Sequence, residues 1–303
     1  MYDTIIIGAG PAGMAAGIYA SRAELSHLVL ESEIMSGGQI INTSEVDNYP
    51  GLFHTAGFDL AMKFREHCDA LAVAFREETV TGIEKKEKGF WIRCENGEAL
   101  ETKTVLLATG ATHRKLGIPG EEELAGMGVS YCATCDGAFF KGKDVAVIGG
   151  GDVAIEDALF LARICRKVYL VHRRGEFRAA KTLVSKLKAC DNVSFVLNAV
   201  PKQINGADCV NSLLVEREGK TEELAVSGVF VAVGMIPNTG LVKNFDVLDE
   251  AGYVRASENC TTSVPGLFAA GDLREKSLRQ VITAAADGAV AIHEIENYLN
   301  QNA

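Results

Sequence analysis

The sequence predicts an α/β fold of two similar domains, one inserted into the other, and three observations lead to it. The segment "DTIIIGAGPAGMAAGIYASR", which starts at Asp3, resembles "DVAVIGGGDVAIEDALFLAR", which starts at Asp144. The two segments align at a constant offset of 144 − 3 = 141 residues, so the chain contains an internal duplication. A late strand pattern, "GLFAAGD" at 266–272, supplies the strand that the first copy needs to complete its sheet. The second copy therefore interrupts the first.

Each copy begins with a short apolar run rich in β-branched residues, which is typical of a strand buried on both faces. A Gly-x-Gly-x-x-Gly/Ala turn follows, then a helical pattern, then a second strand, "HLVLES" in the first copy and "KVYLVHRR" in the second. The motif is weak alone, but its place between a strand and a helix is typical of a Rossmann-like dinucleotide-binding domain. We therefore expect two such domains, each with a pyrophosphate at the start of the helix that follows its turn.

The end of the second strand predicts which dinucleotide each domain binds. Glu31 lies there in the first copy, 31 − 8 = 23 residues after the first glycine of the turn, and a carboxylate at this position accepts hydrogen bonds from a ribose. His172 has the same offset in the second copy, 172 − 149 = 23, and Arg173, Arg174 and Arg178 follow it. A cationic cluster suits a ribose 2′-phosphate, so the second domain is expected to bind NADPH.

A second dinucleotide site in the same chain implies a second cofactor, and FAD is the natural companion of NADPH. Asp272, at the end of the late strand, is expected to hold the ribityl or phosphate part of FAD. Arg279 and Gln280 open the last helix, whose positive end suits the anionic reduced flavin ring. This alanine-rich helix is also expected to pack closely on a sheet.

The composition excludes several classes of protein. The chain has 303 residues, enough for about two domains, and is 48% hydrophobic and 23% charged, as in a soluble globular enzyme. Its net charge of −10, without a basic tail, argues against a nucleic-acid partner. No apolar run approaches the ~18 residues of a membrane span, and the N-terminus lacks the basic region of a signal peptide. We expect a cytoplasmic protein that binds neither nucleic acid nor membrane.

The chain has eight cysteines, and a disulfide framework is not expected in a reducing compartment. Six of them are scattered singly among apolar neighbours and are expected to be small buried hydrophobic residues. These six are Cys68, Cys94, Cys165, Cys190, Cys209 and Cys260.

The other two cysteines, Cys132 and Cys135, form a Cys-x-x-Cys pair that Asp136 follows directly. A zinc site would need two further ligands at a chelating spacing, which the sequence does not offer, so no metal site is expected. A structural disulfide that closes so short a loop would stabilise little. A redox-active dithiol remains, in which one thiol has a lowered pKa and the neighbouring acid shuttles the proton of thiol–disulfide exchange.

Further motifs follow one another in a specific order. They are "GAGPAG" (8–13), "SGGQI" (36–40), "EVDNYPG" (45–51), "ATGA" (108–111), "CATCDG" (132–137), "GGGDVAIEDA" (149–158), "HRRGEFRA" (172–179), and "AAGD" (269–272) followed by "RQVITAA" (279–285). On these motifs the whole chain resembles the low-molecular-weight thioredoxin reductases. The resemblance implies a thioredoxin-disulfide reductase in which electrons pass from NADPH through FAD to the Cys132–Cys135 disulfide and on to thioredoxin. It also implies a homodimer, an FAD-binding domain at 1–113 and 243–303, and an NADPH-binding domain at 114–242 that carries the cysteine pair.

The residues of each site follow from the motifs together with the resemblance. The expected FAD residues are Gly8, Gly10, Pro11, Ala12, Gly13, Glu31, Gly38, Gln39, Asn48, Val80, Ala108, Thr109, Gly110, Gly271, Asp272, Arg279, Gln280 and Val281. The expected NADPH residues are Gly149, Gly151, Asp152, Val153, Ala154, His172, Arg173, Arg174 and Arg178. The resemblance makes Cys135 the flavin-side thiol, Cys132 the thiol that attacks thioredoxin and Asp136 the general acid. The spacing alone does not order the two thiols. Val153 departs from the family pattern, in which a small hydroxyl residue is frequent.

The same residues distinguish the proteins of this fold that have other functions. The main alternative is a flavoprotein that acts on another dithiol or disulfide, either the reductase of a peroxiredoxin system or a small-molecule dithiol oxidase. A non-catalytic dinucleotide sensor would need neither the cysteine pair nor Asp136. A ferredoxin- or deazaflavin-driven relative should lose the second glycine turn or the arginine cluster, and this chain keeps both. The glutathione-reductase branch has its cysteines just after the first Rossmann helix, and no cysteine precedes Cys68 here.

Overall fold

The computed structural model describes residues 1–43 and 46–302, apart from the side chain of Asn42. The chain divides into two compact units. Unit 1 comprises Met1–Thr112 together with Ile236–Ala303, and unit 2 comprises His113–Met235. Unit 2 is therefore inserted into the sequence of unit 1, which is the nested organisation that the duplication predicts.

The return to unit 1 lies earlier than the sequence suggested, at residue 236 instead of 243, a difference of 243 − 236 = 7 residues. Residues in this stretch are bound to unit 1. The Asn238 side chain donates to the carbonyl oxygen of Thr109 at 2.9 Å, and the Thr109 hydroxyl donates to the carbonyl oxygen of Asn238 at 2.7 Å. Val242 is fully buried in a core cluster of unit 1. The outward crossing, after Thr112, differs from the expected boundary by one residue.

The elements are numbered along the chain. The first segment contains β1 (Tyr2–Ile7), α1 (Pro11–Arg22), β2 (His27–Glu31), α2 (Gly57–Ala70), β3 (Phe75–Glu77), β4 (Val80–Lys85), β5 (Phe90–Cys94), β6 (Ala99–Leu107) and β7 (Ala111–His113). The inserted segment contains β8 (Val129–Ser130), α3 (Ala133–Asp136), β9 (Asp144–Gly149), α4 (Asp152–Ala162), β10 (Lys167–His172), α5 (Lys181–Lys188), β11 (Val193–Leu197), β12 (Ala199–Gly206), β13 (Val210–Arg217), β14 (Lys220–Ala225) and β15 (Gly228–Ala232). The last segment contains β16 (Met235–Pro237), β17 (Leu267–Ala269) and α6 (Val281–Gln301). Short 3₁₀ turns occupy Gly38–Asn42, Gly137–Phe140 and Gly240–Val242.

Each unit is built on a sheet whose centre is parallel. In unit 1 the strand order is β3-β2-β1-β6-β5-β4, and β17 pairs with the end of β6 in parallel. In unit 2 the order is β11-β10-β9-β15-β8, with an added antiparallel sheet of β12, β13 and β14. Strands β1 and β9, which begin the two copies, lie between parallel neighbours and are buried, as their apolar sequences predict. The late strand β17 completes the first sheet, which confirms the nested order.

The last helix, α6, packs on the sheet of unit 1 as expected. Its Ile292 and Ile295 share a core cluster with Ile6 of β1 and Leu106 of β6. The helix also touches α1 closely, because a Cβ atom at Gly288 would overlap the carbonyl oxygen of Ala12. Small residues on both helices allow this approach, so the alanine-rich composition serves a helix–helix contact as well as the sheet.

The expectation that all six single cysteines are buried is partly wrong. Cys68, Cys94, Cys165 and Cys260 are buried, but Cys190 is partly exposed and Cys209 is exposed. Cys190 follows the end of α5 and Cys209 lies in the turn between β12 and β13. Turns run over the surface whatever their apolar neighbours in the sequence.

The charged segment at 84–89 joins β4 to the antiparallel strand β5 and forms the hairpin that its sequence suggests. Over residues 1–43 and 46–302, no helix has the length and apolar character needed to cross a membrane.

Candidate active site

The first glycine turn joins β1 to α1 in unit 1. Gly8 has a φ of +106°, which glycine adopts without strain, and a Cβ atom at Gly13 would overlap the carbonyl oxygen of Gly8. α1 begins at Pro11, and its N-cap residue Gly10 makes no side-chain capping bond. Within residues 1–43 and 46–302, no side chain caps the first backbone N–H groups of α1, so they can bind an anion as a pyrophosphate site requires.

Glu31 ends β2, as expected, and lies against this turn. Its Oε2 accepts a hydrogen bond of 2.6 Å from the backbone N–H of Ala9, between the first two glycines. Its Oε1 accepts one of 3.2 Å from the N–H of Glu33. The carboxylate is thus held in place by the backbone at the end of the strand, where a ribose hydroxyl can reach it.

Asp272 lies three residues beyond β17, which ends at Ala269, and not at the end of a strand as expected. Asp272 Oδ1 is buried, and within the described part of the chain it makes no hydrogen bond. Burial raises the pKa of Asp272, while the positive charges of Lys276 and Arg279 oppose the shift. A buried carboxyl oxygen without a partner fits a site that is completed by a ligand with hydroxyl groups.

Arg279 and Tyr253 lie next to this aspartate. The Arg279 guanidinium donates to the backbone oxygen of Asp272 at 3.3 Å and lies 4.2 Å from the centre of the Tyr253 ring. The sequence did not point to Tyr253, because nothing in its neighbourhood marks it as the cation–π partner of a residue 26 positions later (279 − 253 = 26).

Two other predicted flavin residues meet at the start of α6. The Asn48 side chain donates to Gln280 Oε1 at 2.8 Å. Gln280 is the N-cap of α6 and forms a capping box with Thr283. Gln39 lies in a 3₁₀ turn and donates to the backbone oxygen of Ala111 in β7. Asn48 and Gln280, which are far apart in the sequence, are therefore brought together at the positive end of α6, while Gln39 is bound to β7.

The remaining predicted flavin residues lie on the same unit. Ala12 is in α1, Gly38 starts a 3₁₀ turn, Val80 starts β4, Val281 starts α6, Ala108, Thr109 and Gly110 link β6 to β7, and Gly271 follows β17.

Asp287, in α6, holds the segment that contains Asp272, and the sequence did not single it out. It accepts hydrogen bonds from the backbone N–H of Gly271 at 2.9 Å, from Arg274 at 2.8 Å and from Lys276 at 2.8 Å. Burial alone would raise the pKa of Asp287, but these donors lower it overall. An acid inside an alanine-rich helix was the one available signal, because the core side of such a helix has no use for an unpaired charge.

The second glycine turn joins β9 to α4 in unit 2. Ala154 stands where the first turn has Gly13 and is fully buried. Gly151 is the N-cap of α4 and again makes no side-chain capping bond. The Asp152 side chain accepts a hydrogen bond of 2.8 Å from the backbone N–H of Ala180. Val153 is 60% exposed and offers no polar group to a pyrophosphate.

The arginine cluster is tied to this turn through the backbone. The N–H of Arg178 donates to the carbonyl oxygen of Gly150 at 2.9 Å, and the bond from Ala180 to Asp152 fixes the same loop two residues later. Arg173, Arg174 and Arg178 are all exposed. The structure therefore places three exposed guanidinium groups on a loop bound to the second turn.

His172 ends β10 as expected, but it is buried and packs inside the protein. Its ring stacks on Phe177 at 5.4 Å, and its Nε2 lies 3.1 Å from the carbonyl oxygen of Glu176. A Cβ atom at Gly150 would overlap the ring. Burial lowers the pKa of His172, as do the neighbouring arginines, so the ring is not a cation at neutral pH. His172 shapes the turn and adds no charge to the cluster.

Cys132 and Cys135 form a disulfide, with Cα atoms 5.3 Å apart. Cys132 is the N-cap of the short helix α3, and Cys135 lies within it. Both residues are half-buried, so neither sulfur is locked in the core. This Cα separation lies within the usual range for a disulfide.

Asp136, the last residue of α3, lies beside the pair with a half-buried carboxyl group. Its Oδ2 accepts a hydrogen bond of 2.6 Å from the hydroxyl of Ser130. Its Oδ1 is buried and makes no hydrogen bond within residues 1–43 and 46–302. Burial raises the pKa of Asp136, and the bond from Ser130 opposes the rise. A carboxyl group that keeps its proton to higher pH than usual is suited to act as a general acid.

The comparisons with known proteins agree with this arrangement. A family model described as "Pyridine nucleotide-disulphide oxidoreductase" matches residues 2–288. The chain belongs to this family. Thioredoxin reductases of Treponema pallidum and Bacillus subtilis are 43% and 41% identical to it, over 99% of this chain and 97% and 96% of theirs. The crystal structure of thioredoxin reductase from Streptococcus pyogenes is similar with a TM-score of 0.92, at 44% identity and 99% coverage of both chains.

Membership of the family implies a flavin and a pyridine nucleotide, and the two glycine turns fit two nucleotides. The open helix starts behind Gly10 and Gly151 suit pyrophosphates. The unpartnered Oδ1 of Asp272 suits a hydroxyl-bearing ligand in unit 1. The disulfide in unit 2 gives this oxidoreductase its own redox group.

Proposed function

We propose that the protein is an NADPH-dependent thioredoxin-disulfide reductase that holds FAD on unit 1 and NADPH on unit 2. The observation that carries the proposal is the Cys132–Cys135 disulfide beside an aspartic acid whose pKa is raised. The curated relatives, 41–43% identical over nearly the whole chain, bear the name thioredoxin reductase. When bound, the flavin supplies the two-electron link between NADPH and the disulfide.

The exchange with thioredoxin takes two steps on this chain. In the reduced enzyme, the Cys132 thiolate attacks one sulfur of the thioredoxin disulfide, and the bond between the two thioredoxin sulfurs breaks. The departing thiolate takes a proton from the Asp136 carboxyl group. The Cys135 thiolate then attacks the Cys132 sulfur, which restores the Cys132–Cys135 disulfide and releases the second thioredoxin sulfur as a thiol after protonation from solvent. Two electrons pass to thioredoxin in each cycle.

The order of the two thiols agrees with their places around α3. Cys132 is the N-cap of α3, and its Sγ lies 3.4 Å from the hydroxyl of Thr134, which is exposed. Cys135 lies inside the helix. The thiol at the end of the helix is better placed to meet a protein partner, and we assign the attack to Cys132 for this reason as well as by resemblance to the family.

The choice of NADPH is supported by Arg173, Arg174 and Arg178. All three are exposed on a loop that is bound to the second turn through Gly150. The position that would hold a ribose-binding carboxylate is occupied by His172, which is buried and uncharged. A guanidinium can bind a 2′-phosphate through two hydrogen bonds, whereas NADH offers it no matching anion.

We also propose a cytoplasmic homodimer. Unit 1 exposes large apolar side chains, with Ile34 at 85% and Phe53 at 75% exposure. Apolar groups of this size are costly to leave in water, and a subunit interface commonly covers them. Sedimentation at micromolar concentration checks the dimer, and a sedimentation coefficient that fits a monomer of 32.4 kDa would exclude it.

The function is tested by NADPH oxidation coupled to the reduction of insulin, with and without a thioredoxin. The expected result is NADPH consumption that needs both thioredoxin and insulin. Consumption with a peroxiredoxin-linked or small-molecule disulfide, but not with thioredoxin, would assign the enzyme to another dithiol. A protein that binds both nucleotides and reduces no disulfide would contradict the proposal.

A further inference from the structure

Ser130 connects the two chemical groups of the redox segment. It is the second residue of β8, is 5% exposed, and pairs in register with Phe230 of the central strand β15. Its hydroxyl donates to Asp136 Oδ2 at 2.6 Å. The hydroxyl oxygen of Ser130 also accepts a hydrogen bond of 3.1 Å from the backbone N–H of Cys132. One buried hydroxyl therefore touches both the acid and the backbone of the attacking thiol.

We propose that Ser130 is a positioning residue that fixes the orientation of the Asp136 carboxyl group and joins it to the backbone of Cys132. This inference rests on the proposed function, in which Asp136 protonates the departing sulfur. It goes beyond that function because it assigns a role to a side chain that touches neither a substrate nor a reacting sulfur.

The hydrogen bond from Ser130 sets the orientation of the Asp136 carboxyl group and the oxygen that carries its proton. The other oxygen, Asp136 Oδ1, makes no hydrogen bond within the described residues, so this bond holds the rotation of the group. A hydroxyl has one proton to donate, and the short distance to Asp136 Oδ2 assigns it there, although the carbonyl oxygen of Cys132 also lies 3.3 Å away. Because Oδ2 is occupied as an acceptor, the proton of the neutral acid resides on Oδ1, which becomes the donor atom.

Removal of the hydroxyl has two consequences that a packing defect lacks. The carboxylate loses a hydrogen bond that stabilises its charged form, so its pKa rises further. A general acid works only while it is protonated, so the exchange rate falls at alkaline pH as Asp136 loses its proton. When the pKa of Asp136 is higher, this fall, the alkaline limb of the pH profile, moves to higher pH. We expect a move of about one pH unit, which is what the loss of one hydrogen bond to a charged group produces. The loss of orientation lowers the plateau rate roughly tenfold.

The experiment mixes pre-reduced holoenzyme with oxidised thioredoxin and follows a single turnover across pH. Ser130→Val and Ser130→Thr form the matched pair, since the two side chains have nearly the same shape and threonine keeps the hydroxyl. Val129→Ala is the packing control, because Val129 is buried in the same strand. We expect the slower rate and the shifted limb in Ser130→Val, and recovery of both toward the unmutated enzyme in Ser130→Thr. Ser130→Ala should behave like Ser130→Val.

A double-mutant cycle with Asp136→Asn tests whether Ser130 acts through Asp136. Ser130→Ala should slow exchange no further when Asp136 is already asparagine. Three results would each overturn the inference. The rate losses of the two single variants could multiply in the double variant, or the alkaline limb could stay in place in Ser130→Val. The limb could also move as far in Val129→Ala as in Ser130→Val. A small aliphatic disulfide replaces thioredoxin in a parallel series, because its departing alkyl thiolate needs a proton as a cysteine thiolate does. If thioredoxin fails as a substrate but the serine effects persist with the small disulfide, the partner is wrong and the role of Ser130 stands.

Discussion

The two glycine turns are copies of one motif, but the same two positions are used differently in each. In unit 1, the backbone N–H of Ala9 donates to the Glu31 carboxylate at 2.6 Å. In unit 2, the corresponding positions are 9 + 141 = 150 and 31 + 141 = 172, and the ring of His172 occupies the space that a side chain at Gly150 would need. These two positions form a hydrogen bond to a carboxylate in unit 1, whereas in unit 2 they form a close packing contact with a ring.

This difference supports the proposal that the two copies bind different nucleotides. Unit 1 has the Glu31 carboxylate at the end of β2, which under the proposed function accepts hydrogen bonds from a ribose and would repel a 2′-phosphate. Unit 2 fills the same position with a neutral ring and carries its positive charge on the following loop, which is bound to Gly150. Under the proposed function, the Glu31 carboxylate in unit 1 and the arginine loop in unit 2 select the two nucleotides.

The Cys-x-x-Cys pair is present in unit 2 and absent from the first copy, and its removal should have the largest effect. Cys135→Ser should abolish turnover with thioredoxin and trap a mixed disulfide through Cys132, because no nearby thiol displaces the partner. Cys132→Ser should leave a Cys135 thiolate that gives a long-wavelength charge-transfer band with the oxidised flavin. Mass spectrometry and absorbance spectra check the two variants. A band in Cys135→Ser, with an adduct through Cys135 in Cys132→Ser, would reverse the assignment.

Asp136→Asn should slow the exchange with thioredoxin by about 10²–10⁴-fold, the usual contribution of a positioned general acid. Because burial raises the pKa of Asp136, the acid is protonated over a wider pH range than an ordinary aspartate, and its contribution disappears as pH rises through that pKa. The rate of the asparagine variant should lose this alkaline limb. Stopped-flow measurements of reduced enzyme with oxidised thioredoxin give both quantities. A limb of unchanged position in Asp136→Asn would assign it to another group.

Arg173→Ala combined with Arg174→Ala should weaken the preference for NADPH over NADH by about 3 kcal/mol, or about 100-fold. The estimate takes the lower value of about 1.5 kcal/mol for each charged hydrogen bond, because both side chains are exposed to solvent. The ratio of kcat/KM for the two coenzymes measures the effect, and Arg163→Ala, at the C-cap of α4, is the control for removal of a positive charge elsewhere in unit 2. Equal kcat/KM for NADH and NADPH in the unmutated enzyme would refute the assignment of the cluster.

The smallest expected effects come from exchanging the third position of the two turns. Gly13→Ala places a Cβ atom on the carbonyl oxygen of Gly8 and should cost about 1–3 kcal/mol, with weaker flavin binding. Ala154→Gly removes a buried methyl group near the start of α4 and should cost about 1 kcal/mol. Thermal unfolding and retention of flavin on dilution measure the two. Similar losses of flavin in both variants would show that the turns are not specialised as described.

The nucleotide turns were predictable because their signals are local. Glu31 and His172 end their strands as the 23-residue offset predicts, and Asp136 follows the cysteines directly. Ser130 could not be recognised in the same way. It lies six residues before Asp136, in a strand of two residues, and its hydroxyl meets the carboxyl group because α3 folds back beside β8. A serine in a short strand carries no sequence signal of its own.

Sequence patterns alone predicted the nested pair of α/β units, the two glycine turns and the redox cysteines. The patterns that predict them are strand and helix periodicity, glycine spacing and the identity of neighbouring residues. Each of these patterns can be read within a short stretch of sequence. Three other features appear only in the tertiary structure. His172 is buried, and Asp287 binds Arg274 and Lys276. Asp136 Oδ1 makes no hydrogen bond within the described residues. Burial and pairing of these groups depend on which distant elements pack together. Desolvation, which shifts their pKa values, is fixed by that packing and leaves no mark in the local sequence.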